Sequence, residues 1–237
     1  GGICWHKQEN DKSGRYNRTY KLQEIPNLLY RVLSEHEEKP ASIEFLLPQK
    51  LLAEAVDQWE SDEDPIKFCS EYRIAVRSWE RIAVHRLGKW RQRWRARWQM
   101  FQALNDDHDI HWVKPLSGDE ATKFYQHMVT QKIQALCLGL TFLSLARTRE
   151  QEREKLLEYI LMAGVPIMAW TRMPAGAHMT EEDIQAELSP ILCKEHLDQL
   201  PMIVHQMRTD PAVLESAENI GNRLALFWDD PDRIPET

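Results

Sequence analysis

Short apolar runs recur along the chain, with longer amphipathic stretches between them, and this alternation constrains the fold more than any other feature. Ile43 to Leu47, Tyr72 to Arg77, Ile110 to Val113, Val165 to Trp170 and Leu224 to Trp228 are rich in β-branched or aromatic residues and bounded by charge, glycine or proline. Ile3 to Lys7 is a further short strand candidate. Helical spacing marks Leu22 to Glu37, with Ile25, Leu28, Leu29, Val32 and Leu33 on one face. It also marks a short helix from Pro48 through Val56, the arginine-tryptophan stretch after Arg77, and two longer helices at Gly118 to Leu145 and Glu150 to Met162. Further pieces run through Leu200 and from about Ala212 to Asn219. Ala163-Gly164 reads as a C-cap, and Thr180 with Asp183 as a capping box. Asp11 to Asn17, the acidic stretch around Asp62 to Asp64, Asn105 to Asp109 and Pro174 to Met179 read as loops. Strands separated by helices predict an α/β fold. The expectation is a mixed or mostly parallel sheet flanked by helices, in a single compact domain over residues 1–237 with a helical insertion.

Composition narrows the function. Nine glycines in 237 residues argue against glycine-rich phosphate loops, and no Walker A, G-x-S-x-G, H-E-x-x-H or G-x-G-x-x-G sequence occurs. Cys4, Cys69, Cys137 and Cys193 form no C-x-x-C pair, which fits reduced thiols and a cytoplasmic location. The most apolar run, Ile133 to Ala146, is too short to span a bilayer, and no signal peptide is visible. The start reads as that of a fragment excised from a longer protein, with Gly1-Gly2 as a leftover of the excision.

The net charge of −7 hides a division. Arg73, Arg77, Arg81, Arg86, Lys89, Arg91, Arg93, Arg95 and Arg97 face one acid, Glu80, so this window is +8 and the rest must carry −15. Trp90, Trp94 and Trp98 fall within about 80° on a helix. Arg91 and Arg95 border that stripe, and Lys89, Arg93 and Arg97 are expected on the opposite side. Three readings follow: an amphipathic helix packed on the sheet with its arginines solvated or paired, a docking face for an acidic protein, or nucleic-acid binding through arginine and stacked tryptophan.

Three segments could carry chemistry. Asp106-Asp107-His108-Asp109-Ile110-His111 offers oxygen and imidazole ligands but reads equally as a solvated loop, so no metal site is assigned. Cys193, His196 and His205 lack a third group to orient a base, and a buried structural cysteine is the alternative. Trp228-Asp229-Asp230-Pro231-Asp232-Arg233 follows a strand, where α/β proteins bind ligands, or else forms a turn in which aspartates cap backbone donors. Arg77, Glu80 and Arg81 follow another strand end, so both could face one cleft. A hydrolase or nuclease would use Asp229, Asp230 and Glu44, with Arg77 and Arg81 stabilising anionic charge. The same charges could instead pair to orient two layers.

Four segments in order carry a family resemblance. They are Ile43-Glu44-Phe45-Leu46-Leu47-Pro48 with Leu51-Leu52 and Val56-Asp57-Gln58-Trp59; Tyr72 through Arg81; Ala163 through Arg172; and Leu224 through Pro235. Together, from about Leu22 to Pro235, the chain resembles the C-terminal domain of the vWA-MoxR-associated proteins. The resemblance implies bacterial conflict or antiphage-type defence machinery. Its implied partners are a MoxR-type AAA+ ATPase, a vWA-domain protein, and an effector such as a trypsin-like protease, in the same chain or another. It singles out Asp57, Trp59, Arg77, Glu80, Arg81, Arg172, Asp229, Asp230 and Arg233. The leading expectation is a non-enzymatic adaptor or sensor module with no cofactor and no membrane or nucleic-acid partner. The hydrolase or nuclease and the nucleic-acid-binding module are the alternatives.

Overall fold

A computed structural model describes residues 2–3, 19–35, 40–82, 88–103, 110–130, 133, 135–141, 150–172, 179–210 and 220–233. β1 (Gly2–Ile3) pairs antiparallel with β2 (Thr19–Tyr20). The 3-10 turn Leu22–Glu24 leads into α1 (Ile25–Glu35), then β3 (Ser42–Leu47), turns at Gln49–Leu51 and Val56–Gln58, α2 (Phe68–Glu71), β4 (Arg73–Ser78), α3 (Trp79–Ile82) and α4 (Lys89–Gln102). β5 (His111–Val113), α5 (Gly118–Val129), β6 (Cys137–Leu140), α6 (Glu150–Ala163) and β7 (Ile167–Thr171) follow. The chain continues through α7 (Glu181–Leu188), the 3-10 segment Lys194–Gln199, α8 (Leu200–Thr209), α9 (Ile220–Arg223) and β8 (Leu224–Trp228).

Six strands form one sheet in the order β3-β4-β8-β7-β6-β5. All pairs are parallel except β7 with β8, so the expected mixed, mostly parallel α/β sheet is present. That antiparallel seam places Thr171 opposite Leu224, and Ile167 opposite Trp228.

Period-two alternation divides the core between the two sheet faces. Met168, Trp170, Ala225 and Phe227 pack with Phe124 and Met128 of α5 and Leu157, Ile160 and Leu161 of α6. Ile167, Ala169, Leu224 and Leu226 pack on the other face, with Trp98 and Phe101 of α4, Ile184 and Leu188 of α7, and Leu200 and Val204 of α8. The buried central strands therefore read as continuous apolar runs.

Two expectations fail here. Gly118 to Leu145 is not one helix: α5 ends at Val129, and Cys137–Leu140 is a strand between β5 and β7. All four residues of β6 are buried, so the segment has no polar face and its pattern suits a helix equally well. Its register puts Gly139 opposite Trp112, and a Cβ on Gly139 would lie 2.2 Å from the indole. Glycine is thus required where the ring crosses the neighbouring strand. The short helix expected from Pro48 through Val56 is instead two separate 3-10 turns, and α8 is an additional helix. The capping box at Thr180 forms, with Thr180 Oγ1 and Asp183 Oδ2 2.9 Å apart. Gly164 has φ +84°, as a left-handed C-cap requires. The loops at Asp11 to Asn17 and Asn105 to Asp109, all but Met179 of the loop at Pro174 to Met179, and the piece from Ala212 to Asn219 lie outside the described residues.

Candidate functional site: two buried arginine-aspartate networks

Asp229 follows the last residue of β8, and its N–H donates to the Pro166 carbonyl at 3.0 Å, which fixes it against the start of β7. Its carboxylate is fully buried. Oδ1 accepts from Arg77 Nε at 3.1 Å and Oδ2 from Arg81 Nη1 at 3.0 Å. Arg77 comes from the end of β4 and Arg81 from α3, so strand and helix ends converge on one carboxylate. Trp94 Nε1 of α4 donates to the Asp229 carbonyl at 2.6 Å.

The guanidiniums are equally committed. Arg81 gives its remaining donors to the Leu161 and Val165 carbonyls and lies 5.5 Å from the ring centroids of both Trp94 and Phe227. Arg77 Nη1 donates to Glu44 Oε2 at 2.7 Å and to the Arg233 carbonyl, and Nη2 donates to the Asp230 carbonyl. Glu44 Oε1 meets Arg233 Nη1 at 2.6 Å. Burial pushes the Asp229 carboxyl up and the Arg81 guanidinium down, while their mutual attraction opposes both shifts. Removing either charge would strand the other in a dry environment.

Asp230 is half-buried; burial raises its carboxyl, and Oδ1 accepts the Asp232 N–H at 2.8 Å. Glu80 does not join the arginines. Its Oε1 accepts the Gln49 N–H at 2.8 Å and its Oε2 the Ser78 hydroxyl at 3.1 Å, tying α3 to the turn after β3.

The second network occupies the other end of the β7–β8 seam. Asp57, 2% exposed, accepts at Oδ2 from Arg208 Nη2 at 2.6 Å and Arg172 Nη1 at 3.0 Å. Arg172 Nη2 also lies 2.6 Å from Oδ1 as an ion pair without hydrogen-bond alignment. Burial alone would raise the Asp57 carboxyl, but Arg208 and Arg172 outweigh it and hold the group below its usual value. Arg208 also donates to the Gly221 and Leu224 carbonyls. Trp59 is half-buried, edge-on to Phe45 at 5.5 Å.

The residues singled out in the sequence therefore assemble as two groups. Glu44, Arg77, Arg81, Asp229 and Arg233 meet at one end of the seam; Asp57 and Arg172 meet at the other. Arg208 was missed. Its signal is the i, i+4 stripe Leu200, Val204, Arg208, an arginine continuing a buried helix face.

Arg97 requires a correction. It was expected opposite the tryptophans, yet it is 7% exposed beside the buried Trp94 and Trp98. The seven-residue step from Trp90 turns it only about 20° from that residue's direction. Arg97 donates to the carbonyls of Ala163, Ala135, Met128 and Ile133, joining the C-terminal ends of α5 and α6. Cations suit those ends, where helix carbonyls lack partners. Burial, then Arg81 and Arg93, lower its pKa to about 10. Arg93 likewise leaves the solvated face, donating to the Tyr125 hydroxyl and the Met162 carbonyl.

The remaining candidates separate. His205 Nδ1 faces the Cys69 carbonyl at 3.3 Å, and burial, then Glu195, push the Cys193 thiol up, away from nucleophilic activation. Residues 106–109 lie outside the described residues, and His111 stacks on Phe124. Among the described residues no three His, Cys, Asp or Glu side chains are grouped to hold a metal, and no helix is long and apolar enough to cross a membrane.

Comparison with known proteins gives one match. The profile of the family described as vWA-MoxR associated protein C-terminal domain matches residues 2–231 of the 237. No curated protein matches, and no solved structure matches.

Proposed function

From the premise that the chain belongs to the vWA-MoxR associated protein C-terminal domain family, we propose that it is a protein-binding adaptor or sensor. It couples a MoxR-type ATPase and a vWA-domain protein to an effector in a bacterial conflict system. The observation that carries this reading is the saturation of Asp229. Both carboxylate oxygens are taken by guanidiniums at 3.0–3.1 Å, and the group has no exposed surface. A nucleophile, general base or metal ligand needs an open side facing substrate. Here the charges lock β4, α3, α4 and the end of β8 into one rigid body, which suits a module that transmits contacts. Trp94 and Trp98 are buried, so they offer no stacking platform for bases.

The test is reconstitution. The purified chain is mixed with the vWA-domain protein and MoxR-type ATPase of the same organism, with and without ATP, and followed by size-exclusion chromatography and calorimetry. A stable complex in at least one nucleotide state is expected. Failure to bind either protein in every state would refute the reading, as would hydrolytic turnover by the chain alone at an ordinary enzymatic rate.

A further inference from the structure

Arg73, Ala75 and Arg77 lie on one face of β4, because side chains alternate along a strand. Ala75 is small, and above it the sheet opens into a cavity of about 170 Å³ lined in part by Glu44, Arg73, Ala75, Pro201, Trp228 and Arg233. That volume is close to the ~150 Å³ known to hold a benzene ring and well below the ~300 Å³ where pockets for whole cofactors begin. It admits one residue-sized group.

The polar lining is unevenly committed. Arg77 turns into the Asp229 network and is 1% exposed. Arg73 is half-buried, and its side chain's one hydrogen bond among the described residues runs from Nε to the Ala41 carbonyl at 3.3 Å. Its terminal nitrogens meet no carboxylate among the described residues. Arg233 places Nη1 on Glu44, but its side chain is 56% exposed. Glu44, the carboxylate in the lining, has Oε2 on Arg77 and Oε1 on Arg233, so its charge is already compensated. Two guanidiniums with donors to spare thus flank a half-buried indole and a proline ring. Guanidinium favours planar oxyanions through its fork of N–H groups.

We propose that this cavity binds the C-terminal carboxylate of a partner protein, with the oxygens held by Arg73 and Arg233 and the last side chain against Trp228 and Pro201. A chain end fits better than an internal Asp or Glu because it carries the carboxylate and an apolar side chain on one residue. The assignment rests on the partner-binding role proposed above and specifies where one contact is made.

The purified chain is titrated by calorimetry and NMR with acetyl-Gly-Gly-Phe as the free acid, the same peptide as the C-terminal amide, and inorganic phosphate. The free acid should bind about tenfold or more tighter than the amide, the loss expected when a charge-assisted contact is removed. Arg73→Gln should weaken the free acid by a similar factor while leaving the circular dichroism spectrum and Tm unchanged. Arg233→Gln is the second variant should Arg73→Gln fail to fold. Equal affinity for acid and amide, no binding of either at millimolar concentration, or acid affinity unchanged in a folded variant would overturn the proposal. Phosphate binding as tightly as the free acid would also overturn it, leaving an unspecific oxyanion site. Reconstitution with the ATPase and vWA protein separates the two readings. A complex that forms while the peptides fail sinks the cavity alone; peptides that bind while no complex forms sink the coupling role alone.

Discussion

Replacing Asp229 by asparagine keeps the side chain's shape and removes the charge shared by Arg77 and Arg81. In the native fold all three groups are 1% exposed or less, so no solvent can screen the change. Arg77 retains Glu44 and two carbonyls, but Arg81 retains only the Leu161 and Val165 carbonyls and becomes a buried cation without an anion. The asparagine NH₂ would also point donors at a guanidinium that has only donors. Breaking a buried pair from one side costs about 3–5 kcal/mol. At about 2–4 °C per kcal/mol for a domain of this size, Tm should fall by about 6–20 °C. Urea unfolding followed by tryptophan fluorescence and thermal unfolding followed by circular dichroism give both numbers. Adding Arg81→Met to Asp229→Asn should recover part of the loss, because the stranded charge is gone. A loss below about 1 kcal/mol, the range of exposed pairs, would refute the argument that this network holds the layers together.

The second network gives a pH prediction. Arg208 and Arg172 hold Asp57 below its usual 3.8, so its contribution is complete above that value and is lost as pH falls through the lower folded value. Tm measured against pH should decline below about pH 4 in the native chain, and Asp57→Asn should flatten that decline. Gly164→Ala should cost about 2 kcal/mol or more by chemical unfolding, since φ is +84° and the new Cβ would lie 2.5 Å from the Trp94 backbone nitrogen. Gly139→Ala should also destabilise, because it drives a Cβ into the Trp112 ring, and Trp112→Ala in the same chain should relieve part of the loss. Arg97→Met should cost about 2 kcal/mol or more, because it leaves helix-end carbonyls unpaired, and Arg97→Lys should recover little of it.

Much of the fold was legible because its signals are local. β3, β4, β5, β7 and β8 stand where β-branched and aromatic runs placed them, and Gly164 ends α6 because only glycine adopts that φ freely. β6 was not legible. A strand covered on both faces loses the alternation that would distinguish it from a buried helix, and Gly139 acquires its meaning only from Trp112 on the neighbouring strand. Arg97 and Arg208 were opaque for a related reason. Arginine on a helix usually marks the solvated side, and only carbonyls delivered by other elements make it tolerable inside.

The sequence by itself determined five of the six strands of the main sheet, the mixed α/β layering, and which acidic and basic residues stand at strand ends. Periodicity and caps are properties of neighbours along the chain, and they survive without tertiary context. Only the tertiary structure decided what those charges do. Arg77 and Arg81 reach Asp229 across 152 and 148 residues, and Arg208 reaches Asp57 across 151. Whether an aspartate faces solvent as a reactive group or sits saturated between guanidiniums depends on desolvation and geometry that appear only when the sheet closes.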